Sequence, residues 1–170
     1  MRRVARADGR GRRFQMDIPK FLDLAVDLET QISKLYEFVA DLSGDAPVAA
    51  RLKAIAGEEL NHANAIRRGK RYYEEYPDLF AGLTMDDNEA WTGVEEVKVF
   101  RAMLGRTKIL VADSLKRLLE FENRFEKIHM GVSVKITEPS LKKLFSTLTK
   151  GDQSHIAVLK GLIESFGGEV

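Results

Sequence analysis

The chain contains no cysteine, so disulfides, thiolate zinc sites and cysteine-ligated iron–sulfur clusters are excluded from the outset. No apolar run approaches membrane-spanning length, and the basic N-terminus has no apolar segment behind it. Neither a transmembrane helix nor a signal peptide is therefore expected, and the compartment expected is the cytoplasm. Convincing strand alternation is missing as well. An excess of one charge is also lacking: 27 basic and 26 acidic residues leave a net +1, which speaks against a nucleic-acid or membrane-surface partner. Histidine is scarce, three residues in 170, which gives weight to where the three stand.

What the chain has in abundance is helical patterning. With 44% hydrophobic and 31% charged residues it suits one full-sized core. Residues 1–16 are rich in Arg and Gly with little to bury and read as a basic tail. Residues 17–170 read as a single helical domain. Leu24, Ala25, Leu28, Ile32, Leu35, Tyr36 and Val39 form one helical face that Gly44 stops. Asp45 and Pro47 open a second helix, which Pro77 ends. Turn formers follow from Asp78 to Gly93, then a short helix from Val94 to Leu104. A third long helix is expected over about Thr107 to Met130, and a last one opens at Thr137, Glu138 and Pro139 and runs to about Phe166. The expected architecture is all-α: a four-helix bundle with a long crossover between its second and third helices.

Two short motifs carry the chemistry. Glu59-Leu60-Asn61-His62 and Asp152-Gln153-Ser154-His155 each set a carboxylate and an imidazole three residues apart, on one face of a helix. Each follows a further glutamate, Glu29 or Glu122, by 30 positions, and the two halves are related by one offset of 93. Apolar positions repeat at the same offset: Val48 with Leu141, Leu52 with Phe145, Ile55 with Leu148, Ala63 with Ile156, Ile66 with Leu159. A duplicated helical hairpin explains both repeats.

Glu29 lies on the apolar stripe of its helix. Glu122 has Leu115, Leu118, Leu119 and Phe125 around it at helical spacing, whereas Glu120 has Lys116, Arg117, Asn123 and Arg124, so Glu122 is the inward residue. Four carboxylates converging in an apolar interior need cations. Glu29, Glu59, His62, Glu122, Asp152 and His155 are therefore the candidate ligands of two metal ions. A donor set rich in oxygen, with two imidazoles and no sulfur, favours iron, with manganese and zinc as alternatives.

With these residues the chain resembles the ferritin-like superfamily, and within it the diiron domain of rubrerythrins. The resemblance covers roughly residues 18–166, and its ligand plan is a Glu from each of two helices and a Glu-x-x-His from each of the other two. It implies a carboxylate-bridged diiron site, with Glu59 and Asp152 bridging, that reduces hydrogen peroxide or dioxygen. It also implies a tyrosine, here Tyr36, hydrogen-bonding near the centre, and a homodimer. His129 occupies the matched place on the third long helix, where a second-layer role and a helix-end role are both open.

The chain departs from the family in two places. Asp152 replaces the usual Glu and shortens its reach by about 1.5 Å. Phe125 stands where an extra glutamate is usual, and Glu126 is the nearest carboxylate. Lacking a cysteine-bound iron centre, the chain would need an external electron donor protein. Iron oxidation and handling, or a non-catalytic binding module, are the competing functions.

Overall fold

A computed structural model describes the backbone of residues 15–80, 84–86 and 88–166. Most of the expected basic tail lies outside these residues, but its last two, Gln15 and Met16, belong to a strand. That strand, β1 (Gln15–Asp17), pairs antiparallel with β2 (Thr84–Asp86). The expectation of no strand is corrected accordingly: three residues per strand are too few for alternation to show in a sequence. Among the described residues everything else of regular structure is helical, and the fold is all-α and bundle-like.

Helix α1 (Ile18–Leu42) begins where the Asp17 carboxylate accepts from the Lys20 backbone N–H at 3.1 Å, with Pro19 in the first turn. Its end is set by Gly44, whose φ of 63° lies in the left-handed region that side chains disfavour. Asp45 then caps α2 (Ala46–Glu75), accepting from the Val48 N–H at 3.0 Å. Three residues join the helices, so α2 folds back along α1, and the two pack together over their length.

After α2 come a 3-10 turn (Pro77–Phe80), β2 and α3 (Asn88–Leu104). Helix α3 packs on α1 and on α4 (Val111–Lys135). It is longer than the short helix expected from Val94. Helix α4 starts later than expected, at Val111, because Thr107–Leu110 is spent on a turn in which Thr107 N–H and Oγ1 both bond the Met103 carbonyl. Its N-cap, Leu110, offers no side-chain bond. Helix α5 (Pro139–Ser165) opens as read from the sequence: Glu138 accepts from the Leu141 N–H at 2.7 Å, with Pro139 at the first position.

The duplication read from the sequence reappears in the helix boundaries. Moving α1 by 93 residues takes Ile18 to Val111 and Leu42 to Lys135, both ends of α4, and the same move takes Ala46 to Pro139, the first residues of α2 and α5. The shared core joins both hairpins through Phe21, Leu22, Leu28, Leu52, Ile66, Leu115, Phe121 and Phe145. Phe21 and Phe145 meet with ring centroids 6.2 Å apart, and each such side chain contributes about 1.5–3 kcal/mol by leaving water. Among the described residues no helix is long and apolar enough to cross a membrane.

Candidate metal centre

Within this core lies a group of polar side chains drawn from the four long helices. Glu29 comes from α1, Glu59 and His62 from α2, Glu122 and His129 from α4, and Asp152 and His155 from α5. All are buried except His62, which is partly so. Helical spacing accounts for the convergence: each carboxylate sits on the stripe its helix buries, and each motif histidine lies one turn further along the same stripe.

Glu59 sits between the two motif histidines. Its Oε2 is 3.1 Å from His62 Nδ1, and its Oε1 is 2.8 Å from His155 Nδ1. Two groups of side chains that could hold a metal ion share it, Glu29–Glu59–His62 and Glu59–Asp152–His155, each with its donor atoms within 4.8 Å of one another. The imidazoles of His62 and His155 stack with centroids 5.6 Å apart.

Glu122 is placed differently from its symmetry mate. Its Oε1 accepts a 2.5 Å hydrogen bond from the Tyr36 hydroxyl, and its Oε2 lies 3.6 Å from His155 Nδ1. The Tyr36 hydroxyl of α1 thus meets the buried carboxylate of α4. Glu126 bonds Gln153 at 2.9 Å on the exposed side and takes no part, while Phe125 is buried against Phe121. Glu120 is exposed and pairs with Arg117.

His129 is the residue that sequence reasoning left undecided. It is buried, its Nδ1 is 2.7 Å from Asp152 Oδ2, and its Nε2 is 3.1 Å from Glu29 Oε1. It thereby touches one carboxylate from each of these two groups. The available signal was the offset itself: moved back by 93, His129 falls on Tyr36. Tyr36 of α1 bonds the glutamate of α4, and His129 of α4 reaches the glutamate of α1. A tyrosine and a histidine are chemically unlike, so the repeat was visible while the shared role was not.

Two outer contacts were missed altogether. His155 Nε2 is 2.9 Å from Glu58 Oε2. Gly151 packs so closely on His62 that a Cβ there would lie 2.5 Å from both Cε1 and Nε2 of the imidazole.

The donor set fits a pair of divalent cations on a feature of the structure itself. Among the described residues, the buried side-chain atoms with no hydrogen-bond partner are Glu29 Oε1, Glu122 Oε2, His129 Nε2, His155 Nδ1 and Gln31 Oε1, and all but the last belong to this cluster. His129 Nε2 and His155 Nδ1 lie within ion-pair distance of carboxylates but off the hydrogen-bond line. Buried polar atoms gain from a partner, and these four gather at one place, where a bound cation would satisfy them. Two divalent ions would carry as much positive charge as four carboxylates carry negative.

Without metal, the three histidines supply part of that charge. Burial pushes His62 down, but bonding to Glu29 and Glu59 outweighs it and raises His62 to about 10. His155 is likewise lowered by burial and raised further, to about 11, by Glu122 and Glu59. Burial also works against protonated His129, and Asp152 and Glu29 hold it well above the usual range. Glu29 is pushed up by burial yet brought down to about 2 by His129 and His62. Glu122 goes the other way, to about 8, through burial and the nearby Glu59 charge.

Compared with known proteins, the chain matches no family model, no curated protein and no solved structure.

Proposed function

We propose that the chain is a ferritin-like dinuclear metal protein of the rubrerythrin type, a four-helix bundle with α3 in its crossover, that reduces hydrogen peroxide or dioxygen. The observation that carries this reading is Glu59, whose two oxygens face the two motif histidines from between two metal-binding groups. Glu29 and His62 would complete one position and Asp152 and His155 the other, with Glu122 beside the second. Iron is the metal favoured by the oxygen-rich donor set, ahead of manganese or zinc. A bound iron pair supplies two electrons, which with two protons convert hydrogen peroxide to two waters.

The chain's own residues do the rest. Tyr36 holds a proton on its hydroxyl at the face of Glu122, and burial among carboxylates keeps that hydroxyl protonated. His129 holds Asp152 by its Oδ2, orienting the shorter carboxylate that replaces the family's glutamate. The surrounding apolar core keeps bulk water from the centre. Electrons come from an external donor protein on this reading, and the assembly is a homodimer, as the resemblance implies.

Stopped-flow mixing of the anaerobically reduced, iron-loaded protein with peroxide and with dioxygen at equal concentration tests the reaction. Faster oxidation by peroxide is expected, with sustained turnover only when an electron donor is added. Oxidation no faster than with dioxygen would transfer the reading to iron oxidation and handling, and no reaction with either would leave a non-catalytic binding module.

Gly151 offers a structural check. On helix propensity alone Gly151→Ala should stabilise α5 by about 1 kcal/mol. The new Cβ would instead collide with the His62 ring, so the variant is expected to bind one ion where the wild type binds two, with the helical content unchanged. Metal analysis beside circular dichroism decides it; two ions in the variant would show that His62 has room to move.

A further inference from the structure

The offset that relates the two motif histidines also relates the positions packed against their outer edges. His62 and His155 differ by 93, and so do Glu58 and Gly151. Glu58 of α2 meets the outer nitrogen of His155, and Gly151 of α5 lies against the outer nitrogen of His62. At matched places one imidazole is backed by a carboxylate and the other by bare backbone. The inner nitrogens are alike: Nδ1 of each faces Glu59.

The difference has a chemical consequence. A carboxylate accepts and cannot donate, so Glu58 keeps the proton of His155 on Nε2 and leaves Nδ1 as the nitrogen that gives up its proton to a metal. A carboxylate behind a ligating imidazole also fixes the ring and raises its basicity, and losing such a partner costs about 10–100-fold in metal affinity. His62 has no such partner at Gly151. Its side chain is also 14% exposed against 1% for His155, so it is held in place less firmly.

We propose that Glu58 is a positioning residue that makes the two metal positions unequal: the Glu59–Asp152–His155 position binds first and more tightly, and the Glu29–Glu59–His62 position fills second. The inference rests on the dinuclear reading above. Glu58 is suited to experiment because its side chain is 56% exposed, at the edge of a surface cavity of about 190 Å³ that reaches His155, so replacing it leaves the core intact.

The test is a cobalt(II) titration of the metal-free full chain, followed by calorimetry and by the visible absorption of the bound ion. Two steps are expected for the wild type, the first tighter by about tenfold or more. Glu58→Ala should weaken the first step by about 10–100-fold, shift its absorption, and leave the second unchanged. Glu58→Gln should fall between, since its amide oxygen accepts from Nε2–H without the charge. His62→Ala should abolish only the second step. Two indistinguishable wild-type steps, a first step indifferent to Glu58→Ala, or loss of the tight step in His62→Ala would each overturn the proposal. A wild-type chain that binds no cobalt would overturn the dinuclear reading itself, a result distinct from these three.

Discussion

Glu59→Ala should empty both metal positions at once, because Glu59 is the carboxylate common to the two groups of donor atoms. Purified without chelator, the wild type is expected to hold two ions per chain and the variant none. Glu120→Ala, on the exposed side of α4 and paired with Arg117, should be indistinguishable from the wild type. His155→Ala should lose the ion at its own position and keep the capacity for the other. A ligand that binds only the folded state at about 100 times its Kd adds about 2.7 kcal/mol per site, so two ions add about 5.4 kcal/mol, which for a chain of this size raises Tm by roughly 10–20 °C. Manganese should therefore raise the melting temperature of the wild type by that amount and leave Glu59→Ala where it was. Equal metal content in Glu59→Ala and Glu120→Ala would remove the assignment.

The second large effect is one of pH, and it has opposite signs with and without metal. At neutral pH the metal-free protein holds protons on His62 and His155, raised to about 10 and about 11. A metal must displace the Nδ1 proton of each. One proton released per ion by the histidines makes affinity rise about tenfold per pH unit through the neutral range, and Glu122, raised to about 8, adds its own proton if it binds. Calorimetry in buffers of different ionisation enthalpy would count those protons, and a slope near zero would mean the histidines are not ligands.

For the metal-free fold the sign reverses. Both histidines have folded pKa values above the unfolded 6.5, so their stabilisation is complete below about pH 6.5 and fades as pH climbs through 10. Glu29, held down at about 2, adds stability above its unfolded value of 4.5 that is lost as pH falls toward 2. The metal-free melting temperature should therefore decline from pH 6.5 to 10, while the metal-loaded protein resists that decline.

Much of this molecule was legible in one dimension because duplication and helical periodicity are themselves linear. Asp45, Glu138 and Pro139 announced their helix starts through local hydrogen bonding that needs no distant partner. Glu29 and Glu122 could be placed inward because a buried stripe is a property of residue spacing alone. The strand pair was not legible, since Gln15–Asp17 finds its partner in Thr84–Asp86, far along the chain.

What the sequence determined by itself was thus the all-helical class, the 93-residue repeat and the six inward carboxylates and imidazoles, all consequences of spacing along single helices. The tertiary structure decided that Glu29 with His62 and Asp152 with His155 divide around Glu59 while Glu122 lies outside both groups, that His129 reaches across to Glu29 and Asp152, and that Glu58 and Gly151 back the two histidines unequally. Those contacts cross from one helix to another, and the distance at which helices pack, together with the rotation of each about its axis, is set by the whole core.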